Sequence, residues 1–190
     1  MARVLVIYDT SYGHTKKIAE LIASEVKKKK HFVEAVNVAE FPHDVYPDIY
    51  DGVIVGGAVY AGKYSGSIVK WVTKYASLLN RMPTAFFSVC LGVLQDDPVV
   101  QKDLSRILDD FFKKTGWKPT RRAIFAGALA YTKYNFVIKW FMKRIARKAG
   151  GSTDTRLDHE YTDWEQVKRF SSDFCQSVTG RDRDLTNWQL

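Results

Sequence analysis

Apolar residues recur along this chain in two alternating rhythms. "VLVIY", Val4 to Tyr8, is a short, β-branched apolar run that predicts a strand buried on both faces. The period then lengthens. From Thr15 to Lys28, Ile18, Leu21, Ile22 and Val26 fall three to four residues apart, which predicts a helix. "FVEAVNV" alternates as a strand does, and "GVIVGGAVY" is a second buried run. Ile68, Val72, Tyr75 and Leu79 form one stripe of a helix over Ile68 to Leu79. "TAFFSVCLG" and "RAIFAGALA" read as two more strands, separated by a helix over Lys102 to Lys114 that carries Leu104, Ile107, Leu108, Phe111 and Phe112. A last helix carries Val167, Phe170 and Phe174 to about Val178. Thr162 and Glu165 stand in the S/T-x-x-E spacing of a capping box at its start.

Strictly alternating strands and helices predict a parallel sheet covered on both faces. Five strands in this rhythm suit the doubly wound order 2-1-3-4-5. The α/β class is broken in one place: about 131 to 159 is too long for an ordinary connection. The expected organisation is one domain over 1–179 containing that insertion, followed by a tail over 180–190.

Composition narrows the picture. With 190 residues, 46% of them hydrophobic, the chain is long enough to bury a core. No run approaches the roughly 18 apolar residues of a membrane-spanning helix, and no leader pattern precedes the first strand, so a cytoplasmic location is expected. Cys90 and Cys175 lack metal-ligand spacing and read as reduced thiols; no metal site is expected. The formal charge of +8 is unevenly placed. Eight basic residues and no acidic one lie between 120 and 153: Arg121, Arg122, Lys133, Lys139, Lys143, Arg144, Arg147 and Lys148. The rest of the chain balances, with 21 basic and 21 acidic residues. Charge so concentrated, with no recognition module around it, disfavours nucleic acid as the partner.

In a doubly wound sheet, ligands sit beyond the carboxyl ends of the strands. The first such loop is "DTSYGHT", Asp9 to Thr15, and it runs into a helix N-terminus, where free N–H groups favour an anion. The loop is neither G-x-G-x-x-G nor G-x-x-x-x-G-K-[ST], which disfavours a dinucleotide and a nucleoside triphosphate. It offers the hydroxyls of Thr10, Ser11 and Thr15, with Gly13 for a tight turn, and so suits a phosphate monoester. The bland alternative is that Ser11 and Thr15 merely cap the helix.

"VIYDTSYGHTKKIAELI" resembles the phosphate-binding signature of flavodoxins. That resemblance implies that Thr10, Ser11, Tyr12, Gly13, His14 and Thr15 hold the phosphate of FMN. It further implies that the loops after the third and fourth strands flank the flavin ring. The positions are Ala58, Val59, Tyr60, Ala61 and Gly62 in one loop, and Ser88, Val89, Cys90, Leu91 and Gly92 in the other. The glycines of "GGAVYAGKYSGS" would let backbone approach the ring, and Tyr60 or Tyr64 would stack on it. The alternative for both tyrosines is packing within the protein. His14 fits hydrogen bonding better than catalysis.

The resemblance extends further. "NRMPTAFFSV", "GWKPTRRAIFAGAL", "GGSTDTR" and "YTDWEQV" resemble the menaquinone-dependent protoporphyrinogen oxidase family, which uses the same flavodoxin-like frame. This implies FMN-dependent oxidation of protoporphyrinogen IX to protoporphyrin IX in haem synthesis. Electrons would pass to menaquinone or ubiquinone, at the cytoplasmic face of the membrane. No catalytic base is evident; Tyr131, Asp154 and His159 are polar groups near the insertion. Arg121, Arg122 and Lys133 are candidate partners for the substrate's propionates. Within the insertion, Tyr134, Val137, Ile138, Phe141, Met142 and Ile145 form an apolar stripe opposite Lys139, Lys143 and Arg147. Phe136 and Trp140 stand among those charges, and Arg144 and Lys148 lie on one flank, the pattern of a helix at an anionic membrane surface over about Tyr134 to Lys148. The alternative is a helix that covers the sheet. Two rival functions use the same fold, an electron-carrying flavodoxin and an NAD(P)H:quinone oxidoreductase.

Overall fold

The computed structural model describes residues 1–40, 45–129, 156 and 158–185. The elements are β1 (Arg3–Tyr8), α1 (His14–Lys28), β2 (Phe32–Asn37), β3 (Gly52–Ala58), α2 (Gly66–Leu79), β4 (Thr84–Val89), α3 (Pro98–Thr115), β5 (Arg121–Phe125), β6 (Ala128–Leu129), β7 (His159–Glu160) and α4 (Trp164–Leu185). The first five strands form one sheet in the order β2-β1-β3-β4-β5, and every pair is parallel. This is the predicted doubly wound order, and the loops after β1, β3 and β4 therefore gather at one end.

Strand alternation divides the interior in two. Val4, Val6, Ala85 and Phe87 point towards α1 and α4 and pack with Ile18, Ile22, Phe125, Phe170 and Phe174. Leu5, Ile7, Val53, Val55 and Phe86 point the other way, into an aromatic layer with Trp71, Phe111, Phe112 and Trp117 from the α2 and α3 side. The runs without polar positions are thus runs buried on both faces.

Two expectations need correction. "RAIFAGALA" is not one strand: β5 stops at Phe125, and Ala128–Leu129 leaves the sheet to pair antiparallel with His159–Glu160. The break is held by Tyr161, whose N–H donates to the Gly127 carbonyl at 3.1 Å. The last helix passes Val178 and runs to Leu185, into the residues read as a tail. Separately, the glycines of "GGAVY" also give room to the protein's own rings, while Gly57 lines the cleft described below. A Cβ on Gly56 would lie 2.0 Å from the Phe87 ring, and one on Gly57 would lie 3.0 Å from Tyr64.

The basic stretch Tyr134 to Lys148, with Lys133, lies outside the described residues, as do Tyr131 and Asp154. Among the described residues no helix is long and apolar enough to cross a membrane.

Candidate functional site

The loop after β1 is folded by its own polar groups. The Gly13 N–H donates to Thr10 Oγ1 at 2.9 Å, and Gly13 takes φ 89°, a left-handed value that favours glycine. That turn delivers the chain into α1 at His14. Among the described residues no side chain caps this helix, and no acidic residue stands in its first turn. Ser11 is exposed, and Thr15 is buried at 2% exposure, but neither closes the free N–H groups. The simple capping role for these two residues is therefore excluded by geometry. The helix end retains the N–H groups and partial positive charge that suit an anion.

A cleft opens beside this turn, lined by Asp9, Thr10 and Ser11 on one wall and by Gly57, Ala58, Tyr60 and Lys63 to Gly66 on the other. The Ser65 hydroxyl donates to the Asp9 carboxylate and ties the two walls together. Residues Tyr60 to Lys63 make a two-residue turn closed from both sides. The Tyr60 N–H donates to the Lys63 carbonyl at 2.9 Å, and the Lys63 N–H returns a bond at 3.2 Å. Ala61 and Gly62 at its tip have φ 49° and 75°. Glycine adopts this freely, whereas for alanine it costs about 1 kcal/mol or more, so the surrounding structure holds Ala61 in place. Tyr60 remains 48% exposed, with its ring 6.3 Å from that of Tyr12.

Tyr64 has a different fate. Its ring packs against Phe86 and Phe111, and its hydroxyl donates to Ser88 Oγ at 2.7 Å. Burial pushes the Tyr64 phenol well above its ordinary value. Of the two candidate stacking residues, Tyr64 is thus a core residue, and only Tyr60 stands free at the rim. Ser88 and Val89 are also interior: Ser88 is 1% exposed, and the Val89 carbonyl accepts from the Val59 N–H at 3.0 Å. The Cys90 N–H is taken by the Phe125 carbonyl at 3.0 Å. Burial raises the Cys90 thiol above its ordinary value, which makes it a poor nucleophile. Leu91 and Gly92, in the turn Leu91–Leu94, are half-buried beyond the end of β4. Ala58 lines the cleft, whereas Val59, Ala61 and Gly62 do not and lie in the chain between the lining residues Ala58, Tyr60 and Lys63.

The two arginines proposed for the propionates stand elsewhere. Arg121 pairs with Ala85 at the amino ends of β5 and β4. Its Nε donates to Ser177 Oγ at 3.1 Å, and its guanidinium lies 3.7 Å from Asp173. Arg122 stacks 4.2 Å above the Phe112 ring. Both are engaged at the end of the sheet opposite the cleft, so neither serves a ligand there.

Sequence reading missed a tether behind the loop. The Thr162 hydroxyl donates to the Ala126 carbonyl at 2.7 Å, so its lone pairs face His14 Nε2, 2.6 Å away, and Nε2–H is the donor. Nδ1 of His14 lies 3.7 Å from Glu160. That carboxylate also pairs with Lys17 at 3.3 Å and accepts from Trp164 Nε1 at 2.9 Å. Burial lowers the His14 pKa; Glu160 opposes this and Lys17 adds to it. The expected capping box is absent because Thr162 is committed to the tether. Asp163 caps α4 instead, accepting from the N–H groups of Glu165 and Gln166 at 2.9 and 3.0 Å. Only the hydroxyl-acid pair "TD" hinted at this arrangement, and it fits either residue as the cap.

The flavodoxin domain model matches residues 5–156. The chain is 34% identical to the protoporphyrinogen IX dehydrogenase [quinone] of Escherichia coli K12, over 91% of this chain and 94% of that protein. It is also 34% identical to the protein of the same name from Leishmania major, over 91% of this chain and 74% of that one. Among solved structures, oxidised flavodoxin 1 from Bacillus cereus superposes with a TM-score of 0.57 at 16% identity, covering 92% of this chain and 97% of the other. A short-chain flavodoxin associated with a bacterial microcompartment gives 0.58 at 15% identity, over 94% and 99%. The fold neighbours agree with the sheet order, the relatives agree with the motifs, and the chain belongs to the quinone-dependent protoporphyrinogen IX dehydrogenase family built on the flavodoxin domain.

Proposed function

We propose that this protein binds FMN and oxidises protoporphyrinogen IX to protoporphyrin IX, passing the electrons to menaquinone or ubiquinone. The observation that carries the cofactor assignment is the first turn of α1, which has no side-chain cap and no acid. A phosphate monoester there would accept from the free N–H groups at His14 and Thr15 and from the hydroxyls of Ser11 and Thr15. Thr10 would act through its bond to Gly13, by shaping the turn. Ala58 to Gly62 on one side and Cys90 to Gly92 on the other would border the flavin ring, with Tyr60 the aromatic residue free to contact it. Bound FMN would supply two-electron chemistry between a reduced organic substrate and a quinone. The substrate loses six electrons and six protons in three two-electron rounds, so three quinones become quinols for each porphyrin formed.

The contribution of the chain is to bind and orient. The Asp9–Ser65 bond holds the cleft walls in register. The strained Tyr60–Lys63 turn fixes the rim. Contact with an anionic membrane through about Tyr134 to Lys148 would bring this end of the sheet to a lipid-dissolved quinone. It is supported by the charge pattern of that stretch.

An anaerobic titration of the FMN-loaded protein tests the reading. The flavin band at about 450 nm is expected to bleach on adding protoporphyrinogen IX and to recover on adding a quinone. Bleaching by NADPH alone would overturn the assignment in favour of an NAD(P)H:quinone oxidoreductase.

A further inference from the structure

We infer that Lys63 is a specificity-determining residue that pairs with a peripheral carboxylate of the substrate, beside an aromatic rim made by Tyr60 and Tyr12. This rests on the function proposed above and adds the group that would recognise a tetrapyrrole dicarboxylic acid.

Lys16 and Lys17 of α1 are paired with Glu20 and Glu160. Arg121 and Arg122 are engaged at the far end of the sheet. Lys63 is the cation among the residues that line the cleft. It makes no side-chain hydrogen bond or ion pair with the described residues. The carboxylate that shares the cleft, Asp9, is already satisfied by Ser65. An approaching anion therefore meets one committed carboxylate and one uncommitted ammonium.

Backbone geometry sets what stands beside that ammonium. Tyr60 and Lys63 are directly opposed across an antiparallel bridge, so their side chains leave the ribbon on the same side. The tip between them holds two residues in left-handed conformations, one of them Ala61. A turn this short and doubly hydrogen-bonded fixes the spacing of ring and charge. With the half-buried Tyr12 next to the exposed Tyr60, the rim presents two aromatic rings and one cation. A largely apolar macrocycle with carboxylates on its edge matches that set. The phosphate of the cofactor has its own site at the start of α1.

The test compares protoporphyrinogen IX with its dimethyl ester, which keeps the macrocycle and removes both charges. Wild-type, Lys63→Gln and Lys63→Arg proteins are loaded with FMN and assayed anaerobically. Lys63→Gln is expected to raise KM for the diacid about tenfold, as befits loss of one charge-assisted bond. It should leave kcat, the KM for the ester and the affinity for FMN unchanged, and Lys63→Arg should restore the preference for the diacid. Equal effects on diacid and ester, or weakened FMN binding instead, would overturn the inference. Equilibrium binding of protoporphyrin IX and its dimethyl ester, followed by porphyrin fluorescence, reads the same contact without turnover. If the wild type oxidises neither porphyrinogen but still prefers the diacid in binding, and Lys63→Gln abolishes that preference, the proposed function fails and Lys63 stands. If the binding preference is unaffected by Lys63→Gln, the inference about Lys63 fails.

Discussion

The helices α1 and α4 lie side by side on one face of the sheet, yet they begin in opposite ways. α4 closes its own N-terminus: Asp163 accepts from two N–H groups, and Glu165 adds an acid to the first turn. α2 and α3 are likewise capped, by Ser65 and Asp97. α1 is left open after Gly13, although Thr10 and Ser11 precede that glycine and Thr15 follows it. Hydroxyls and acids near a helix start therefore do not reveal whether it is a structural end or a binding site. What separates the two is whether the polar atoms turn back onto the helix. At α1, Thr10 spends its oxygen on the turn that precedes the helix, and no described side chain takes the first N–H groups.

The largest expected effect comes from making α1 resemble α4. Ser11→Asp places a carboxylate where the cofactor phosphate would sit. FMN affinity should fall at least about 100-fold, through repulsion between two anions a few ångströms apart. The ligand-free fold should be unharmed, since an acid near a helix N-terminus is favourable by about 0.3–1 kcal/mol. Flavin fluorescence titration and thermal melting together check both signs, and retained affinity would remove the phosphate from this loop.

Next comes the tether between the two helix starts. Thr162→Val removes the partner of His14 Nε2 and leaves a largely buried donor unmatched. A loss of about 1–3 kcal/mol is expected, together with weaker FMN binding, because α1 loses its lateral support. Denaturant unfolding and titration report the two effects separately; an unaltered FMN affinity would show that the tether is purely structural. Asp163→Ala is the sharper control. It should cost about 1 kcal/mol through loss of the α4 cap while leaving FMN affinity unchanged.

The smallest effect is a pH dependence. The folded-state pKa of His14 is lowered, chiefly by burial, below its ordinary 6.5. Below about pH 6.5 the unfolded chain binds this proton more readily than the folded one. The contribution of His14 to stability is therefore fully present above that pH. It is lost as pH falls from there towards the folded-state pKa. The wild type minus His14→Gln difference in unfolding free energy should carry this slope, and a flat difference would refute it.

Much of the fold is legible in the chain because strand burial and helix periodicity are local patterns. The five sheet strands, their order and the loop that begins α1 all follow from them. Misreadings arise where a residue type serves two purposes. Gly56 and Gly57 suggest room for a ligand, and they also make room for Phe87 and Tyr64, while Gly57 lines the cleft as well. Tyr64 suggested a stacking surface, but α3 supplies the Phe111 ring that covers it. Arg121 and Arg122 follow the basic trend of their segment, but they begin their strand, and a parallel sheet puts its ligand end at the other extreme. The bend at Gly127 is hidden because "RAIFAGALA" is apolar after Arg122, and the change of partner from β4 to β7 leaves no trace in periodicity.

By itself, then, the sequence determined the class of fold, the end of the sheet at which the loops after β1, β3 and β4 gather, and the family motifs, since all of these rest on spacing along a single chain. Only the tertiary structure decided which of several similar side chains is free. Tyr60 and Lys63 remain available while Tyr64 and Arg121 are committed, and Thr162 serves His14 while Asp163 caps α4. Commitment depends on partners tens of residues away, because a hydrogen bond or a ring contact satisfies a group only through what folding brings beside it.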